Sequence, residues 1–154
     1  MTRNSLFWLM CLLPLSSWGV DIHDAYVRGL PPGQKNTAAF FSLHNPASLP
    51  VTLRAGSSDI ADRLEIHSHA ERNGMMSMRR QDAVTIGSGE RLHFAPGGYH
   101  LMLINLRRPL RDGEQVSFSL LTEGGDTLQI DATVRSVLNE ASPAGHHHHQ
   151  RGQE

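Results

Sequence analysis

Turn-forming residues cut this chain into pieces too short for anything but strands. Gly29-Leu30-Pro31-Pro32-Gly33, His44-Asn45-Pro46, Asn73-Gly74, Pro96-Gly97-Gly98 and Glu123-Gly124-Gly125-Asp126 follow one another with no long helical periodicity between them. Glycine supplies positive φ, and proline fixes φ and removes a donor, so each cluster ends the element before it. The pieces between read as strands over residues 22–28, 37–43, 51–55, 63–69, 75–80, 99–106, 115–122 and 127–134. Shorter apolar pieces lie at 84–86 and 91–94, and residues 57–62 suit a single helical turn. Asn73-Gly74 is the strongest hairpin signal, because both positions of a type I′ turn need φ > 0. Eight or nine strands at this spacing predict an all-β single domain, an antiparallel Greek-key sandwich or barrel. There is no internal repeat.

Both ends read differently. Arg3, the apolar run 6–15 and the small residues Ser17 and Gly19 form a signal peptide over 1–19, cleaved after Gly19. The apolar run is too short to span a bilayer comfortably, so no membrane span is expected after cleavage. Cys11 is a poor lipoprotein cysteine, since Met10 before it is not small. Cleavage removes this one cysteine, leaving a folded domain over 20–137 with neither thiolate nor disulfide. Residues 138–154 are expected to be a disordered tail carrying His146, His147, His148 and His149. Four histidines are few for a purification tag, and they run on into an unrelated polar end. A natural tract that gathers Cu(II), Zn(II) or Ni(II) weakly is the preferred reading.

One stretch concentrates soft and borderline donors. Ten residues separate His67 from Met78, twenty-one separate Met78 from His100, and one separates His100 from Met102. Thioethers are soft neutral donors that select Cu(I), whereas carboxylates and carbonyls suit harder ions. His100 and Met102 are two apart on a strand and share a face. A two-residue Asn73-Gly74 loop would set His69 opposite Met78, with His67 diagonal to it on the same face at about 7–8 Å between Cα atoms. Spacing alone therefore leaves His67 and His69 competing for one place. Taken singly, a strand methionine is more often packing than ligand, and a strand histidine more often surface. Met75 and Met76 are read as packing or rim residues, and His23, His44 and His93 as surface histidines. The coincidence of a His-Met pair on one strand with another across a hairpin is what favours a metal site.

These residues resemble the PCuAC family. The pattern H-x10-M-x21-H-x-M is its signature, and Asp24-Ala25-Tyr26-Val27-Arg28, Ala38-Ala39-Phe40, Glu65-Ile66-His67, Gly74-Met75-Met76-Ser77-Met78 and Pro96-Gly97-Gly98-Tyr99-His100-Leu101-Met102 look like family segments. Arg108-Pro109-Leu110 followed by Gly113 does too, so the likeness covers most of 21–135. The resemblance implies a cupredoxin-like fold and a periplasmic copper chaperone that is not an enzyme. Its Cu(I) ligands would fall on His67, Met78, His100 and Met102, which chooses His67 over His69 by resemblance and leaves His69 as an accessory ligand. Its implied acceptor is the copper centre of a haem-copper oxidase, reached through an oxidase subunit or a Sco-type thiol protein.

Charge narrows the alternatives. A net charge of −1, with Lys35 the only lysine and no basic stripe, argues against nucleic acid. A monomer is expected. Arg79 and Arg80, with Arg107, Arg108 and Arg111, are read as solvated strand ends in preference to a basic rim for an acidic partner. Two rivals from other classes stand beside the chaperone. One is a periplasmic copper or zinc buffer that works through the His tail; the other is a copper-oxygen enzyme, since a His/Met site can be redox active, and it should stabilise Cu(II) and turn over a reductant.

Overall fold

The computed structural model describes residues 19–136 except positions 32 and 73. The expected signal peptide, with Cys11, and the expected disordered tail, with its four histidines, lie outside the described residues. Ten strands follow in order: β1 (Asp21–Gly29), β2 (Thr37–His44), β3 (Val51–Ser58), β4 (Ala61–Arg72), β5 (Met75–Gln81), β6 (Val84–Ile86), β7 (Arg91–Phe94), β8 (Tyr99–Leu106), β9 (Gln115–Thr122) and β10 (Thr127–Ser136). They form one sheet in the order β5-β4-β8-β7-β2-β1-β10-β9-β3-β6, with β8 also paired to β2. β3 and β4 pack against each other, so the sheet curls back into the barrel-like sandwich of the cupredoxin-like class.

Three expectations are corrected. The helical turn at 57–62 is absent: β3 runs on to Ser58, and Asp59 and Ile60 turn directly into β4. Ile60 and Ala61 are buried there, and their apolar side chains serve the core better in this tight reversal than in an exposed helical turn. The sheet is mixed and not antiparallel throughout, because β1 pairs with β10 and β7 with β8 in parallel. The short pieces at 84–86 and 91–94 are both strands, which brings the count to ten.

Period-two alternation places the core. Leu64 and Ile66 of β4, Leu101 and Leu103 of β8, Phe41 and Leu43 of β2, and Phe118 and Leu120 of β9 all point inward and are buried. Each such side chain contributes about 1.5–3 kcal/mol by leaving water. The alternate residues of β4 and β8, Glu65, His67, His69, His100 and Met102, must then share the opposite face.

The turn after β2 is pinned by one side chain. Asn45 is 1% exposed. Its Nδ2 donates to the carbonyls of Leu49, Ile86 and Gly87 at 2.8, 3.1 and 3.1 Å, and its Oδ1 accepts from the Ala47 amide at 3.1 Å.

Candidate metal centre

The site is built on β5, β4 and β8, the first three strands from one edge of the sheet. Gly74 takes φ 75°, and β4 and β5 pair in the register of a two-residue connection. Arg72 faces Met75, His69 faces Met78, and His67 faces Arg80. Across the other side of β4, His67 faces His100 and Glu65 faces Met102. One face therefore carries three rows: Glu65 and Met102, then Arg80, His67 and His100, then Met78 and His69. His67 stands in the middle row, with Met78 and Met102 on its two diagonals.

The imidazoles are close. The His69 and His100 ring centroids are 5.0 Å apart, and those of His67 and His100 are 5.8 Å apart. His100 is 3% exposed. Its Nδ1 lies 3.1 Å from the Gly98 carbonyl, which only accepts, so Nδ1 carries the hydrogen. Burial holds the His100 ring below the ordinary imidazole pKa, and His69, His67 and Arg28 push the same way against the Gly98 carbonyl. The neutral ring turns its Nε2 lone pair outward from that bond.

His67 is oriented by a carboxylate. Its Nε2 is 2.8 Å from Glu65 Oε2. That hydrogen bond, helped by the nearby Arg80 and Arg63, holds Glu65 below the usual carboxylate range against its own desolvation. An ionised carboxylate only accepts, so Nε2 is the donor, and the lone pair of the neutral ring sits on Nδ1. That Nδ1 is buried with no hydrogen-bond partner, as is Nδ1 of His69. Buried polar atoms are nearly always satisfied, so two unsatisfied imidazole nitrogens on one face are an open invitation to an electron-pair acceptor. Carboxylate-oriented histidine is a recurring arrangement at metal centres.

The donor set fits a soft ion. Among the described residues no group of three or more His, Cys, Asp or Glu side chains is placed to hold a metal. The thioethers of Met78 and Met102 are the further donors that this face offers beside its imidazoles. Met102 is partly covered, and Met78 is 51% exposed. Cu(I) accepts such neutral mixed sets.

Other sequence features separate from this face. His93 and His23 are exposed; His93 Nδ1 bonds Ser42 at 2.9 Å, and His44 Nδ1 bonds Asp21 at 3.1 Å. Arg107 pairs with Asp62 at 3.0 Å and Arg108 with Glu114 at 2.5 Å. Both belong to the far end of β8, where Leu106 faces Ala61. That is about 20 Å of strand from His67, at roughly 3.3 Å per residue. The five arginines thus form no common rim. An apolar cleft of about 330 Å³ beside Leu30, Lys35, Leu106 and Leu110 lies at the same far end, away from the histidines.

Sequence reasoning missed Glu65, although its place two residues before His67 puts it on the same strand face. The role of Gly98, whose carbonyl fixes the His100 tautomer, had no signal beyond its turn.

A family model described as "Putative lipoprotein LpqE-like" matches residues 20–134. "Putative lipoprotein Lxx21020" of Leifsonia xyli subsp. xyli (strain CTCB07) is 32% identical over 118 residues, covering 76% of this chain and 70% of that protein. The solution structure of CuI-DR1885 from Deinococcus radiodurans is 32% identical with a TM-score of 0.61, over 74% of this chain and 76% of that one. The copper-bound PCuAC domain from PmoF2 superimposes with a TM-score of 0.65 at 22% identity, over 76% of this chain and 92% of that one, a likeness of fold.

Proposed function

We propose that this chain, which belongs to the LpqE-like family and has the fold of PCuAC copper-binding domains, binds Cu(I) as cargo and passes it on. The observation that carries the reading is the pair of buried, unpartnered imidazole nitrogens beside Met78 and Met102 on one strand face. A relative of 32% identity whose structure is that of a CuI form supports the oxidation state. His67 through Nδ1, His100 through Nε2, Met78 and Met102 are the proposed ligands. Glu65 orients His67 without touching the ion.

What these residues do follows from their chemistry. All four donors are neutral, so the site adds no charge that would favour Cu(II). None is a thiolate, so the ion is held less tightly than in a cysteine site and leaves by ligand exchange to a thiolate-bearing acceptor. No catalysis is assigned to the face. The acceptor is proposed to be an oxidase subunit or a Sco-type thiol protein on the way to a haem-copper oxidase, and the compartment to be the periplasm. A relative described as a putative lipoprotein supports export, and the proposed route is cleavage after Gly19 without lipidation, since Met10-Cys11 lacks the small residue that a lipid-modified cysteine follows.

Chelator competition for Cu(I) tests this in the full chain with His146 to His149 replaced by Asn. One tight equivalent, weakened in both Met78→Leu and Met102→Leu, is expected. Loss of all tight binding with the tail histidines would move the function to the tail, as a metal buffer.

A further inference from the structure

The face that holds the proposed ligands does not stop at Met78. β5 alternates, so Met76, Met78 and Arg80 share the histidine face while Met75, Ser77 and Arg79 point to the other. Met76 faces position 71, one row beyond the pair of His69 and Met78. Successive rows lie about 7 Å apart along a strand. Exposure rises in the same direction, from His100 at 3% to Met78 at 51% and Met76 at 61%. β5 is also the edge strand, so nothing in the sheet lies beyond it.

Met76 has no packing role that accounts for it. Leaving a methionine in water forgoes about 1.5–3 kcal/mol of burial. His69 is the matching anomaly one row further in: its Nδ1 is buried without a partner, and its ring packs 5.0 Å from that of His100.

We propose that His69 and Met76 are transfer ligands, an outer pair on which Cu(I) rests as it moves between the His67–His100 row and an acceptor. The inference builds on the copper reading above. At each step one copper–nitrogen or copper–sulfur bond forms as another breaks. Copper stays Cu(I), every donor is neutral, and no proton or electron has to move. Methionine suits the outer position because three rotatable bonds let its sulfur sweep across the space between rows. An acceptor thiolate meeting the edge would then find copper on Met76 before it could reach the buried histidines.

Strand alternation supplies the control, because Met75 is the more exposed neighbour at 72% and lies on the wrong face. The test uses the full chain loaded with one Cu(I), and follows transfer to excess bicinchoninate by stopped flow, with affinity measured separately by equilibrium competition. Met76→Leu should slow transfer by roughly fivefold or more while affinity holds, since a transfer ligand lowers the barrier to loading and to release alike and leaves the bound and free end states unchanged. His69→Asn should slow it as well, and Met75→Leu should match wild type in both. A second readout needs no transfer: on titration with Ag(I), a redox-inert stand-in, the methyl resonance of Met76 should shift and that of Met75 should not. Wild-type transfer by Met76→Leu, or equal slowing by Met75→Leu, would overturn the relay. Failure of wild type to hold Cu(I) at all would instead remove the proposed function beneath it.

Discussion

Two of the places where the molecule buries polar groups treat them in opposite ways. At the turn after β2, Asn45 is 1% exposed and both ends of its amide are satisfied, with three carbonyls and one amide as partners. On the β5–β4–β8 face, His67 and His69 each keep a buried nitrogen that bonds nothing. An unsatisfied buried group costs about 1–3 kcal/mol, so the second arrangement works against folding unless something fills it. The first cluster is explained by what it holds together, the second by what it is built to receive.

The contrast can be broken by substitution. Met102→Leu keeps the volume and the apolar surface, so the fold should stand while Cu(I) affinity falls by roughly a hundredfold, about 2.7 kcal/mol. Equilibrium competition measures it, and an unchanged affinity would remove sulfur from the site. Asn45→Ala should do the reverse. It removes the side-chain donor to the carbonyls of Leu49, Ile86 and Gly87 and the acceptor of the Ala47 amide, and is expected to cost about 2–3 kcal/mol of stability in thermal or urea unfolding, with copper affinity untouched.

Glu65→Ala sharpens the account of His67 orientation. Removing the carboxylate frees Nε2 and the ring with it, and a fall of about tenfold in Cu(I) affinity is expected, as for other groups that orient a ligating histidine. The smallest effect is on pH. His100 titrates below its ordinary value of 6.5 because burial penalises the charged ring. The unfolded chain therefore takes up the proton first as pH falls. The stability associated with His100 is fully present above the unfolded value and is lost as pH drops through it toward the folded one. Apo-protein unfolding between pH 7.5 and 5 should show this slope, and His100→Gln should flatten it.

Much of this was legible in the sequence because strands are simple to phase. The Asn73-Gly74 turn fixed the pairing of Arg72 with Met75 and of His69 with Met78, and the structure has that register. The His100 and Met102 spacing predicted a common face for the same reason. The rest depended on long-range pairing. Nothing local says that β8 lies beside β4 with His67 opposite His100, because those strands are more than thirty residues apart in the chain. The parallel pairings of β1 with β10 and β7 with β8 were invisible on the same ground. At residues 57–62 the local pattern misled, since burial of Ile60 and Ala61 outweighed the propensity for a turn of helix.

X-ray absorption at the copper edge, on the Cu(I)-loaded full chain with the tail histidines replaced, reaches the central claim most directly. The account predicts a Cu(I) edge and a shell that mixes nitrogen with sulfur, with the sulfur contribution reduced in Met78→Leu and in Met102→Leu. A shell of nitrogen and oxygen alone, unchanged in both variants, would contradict it.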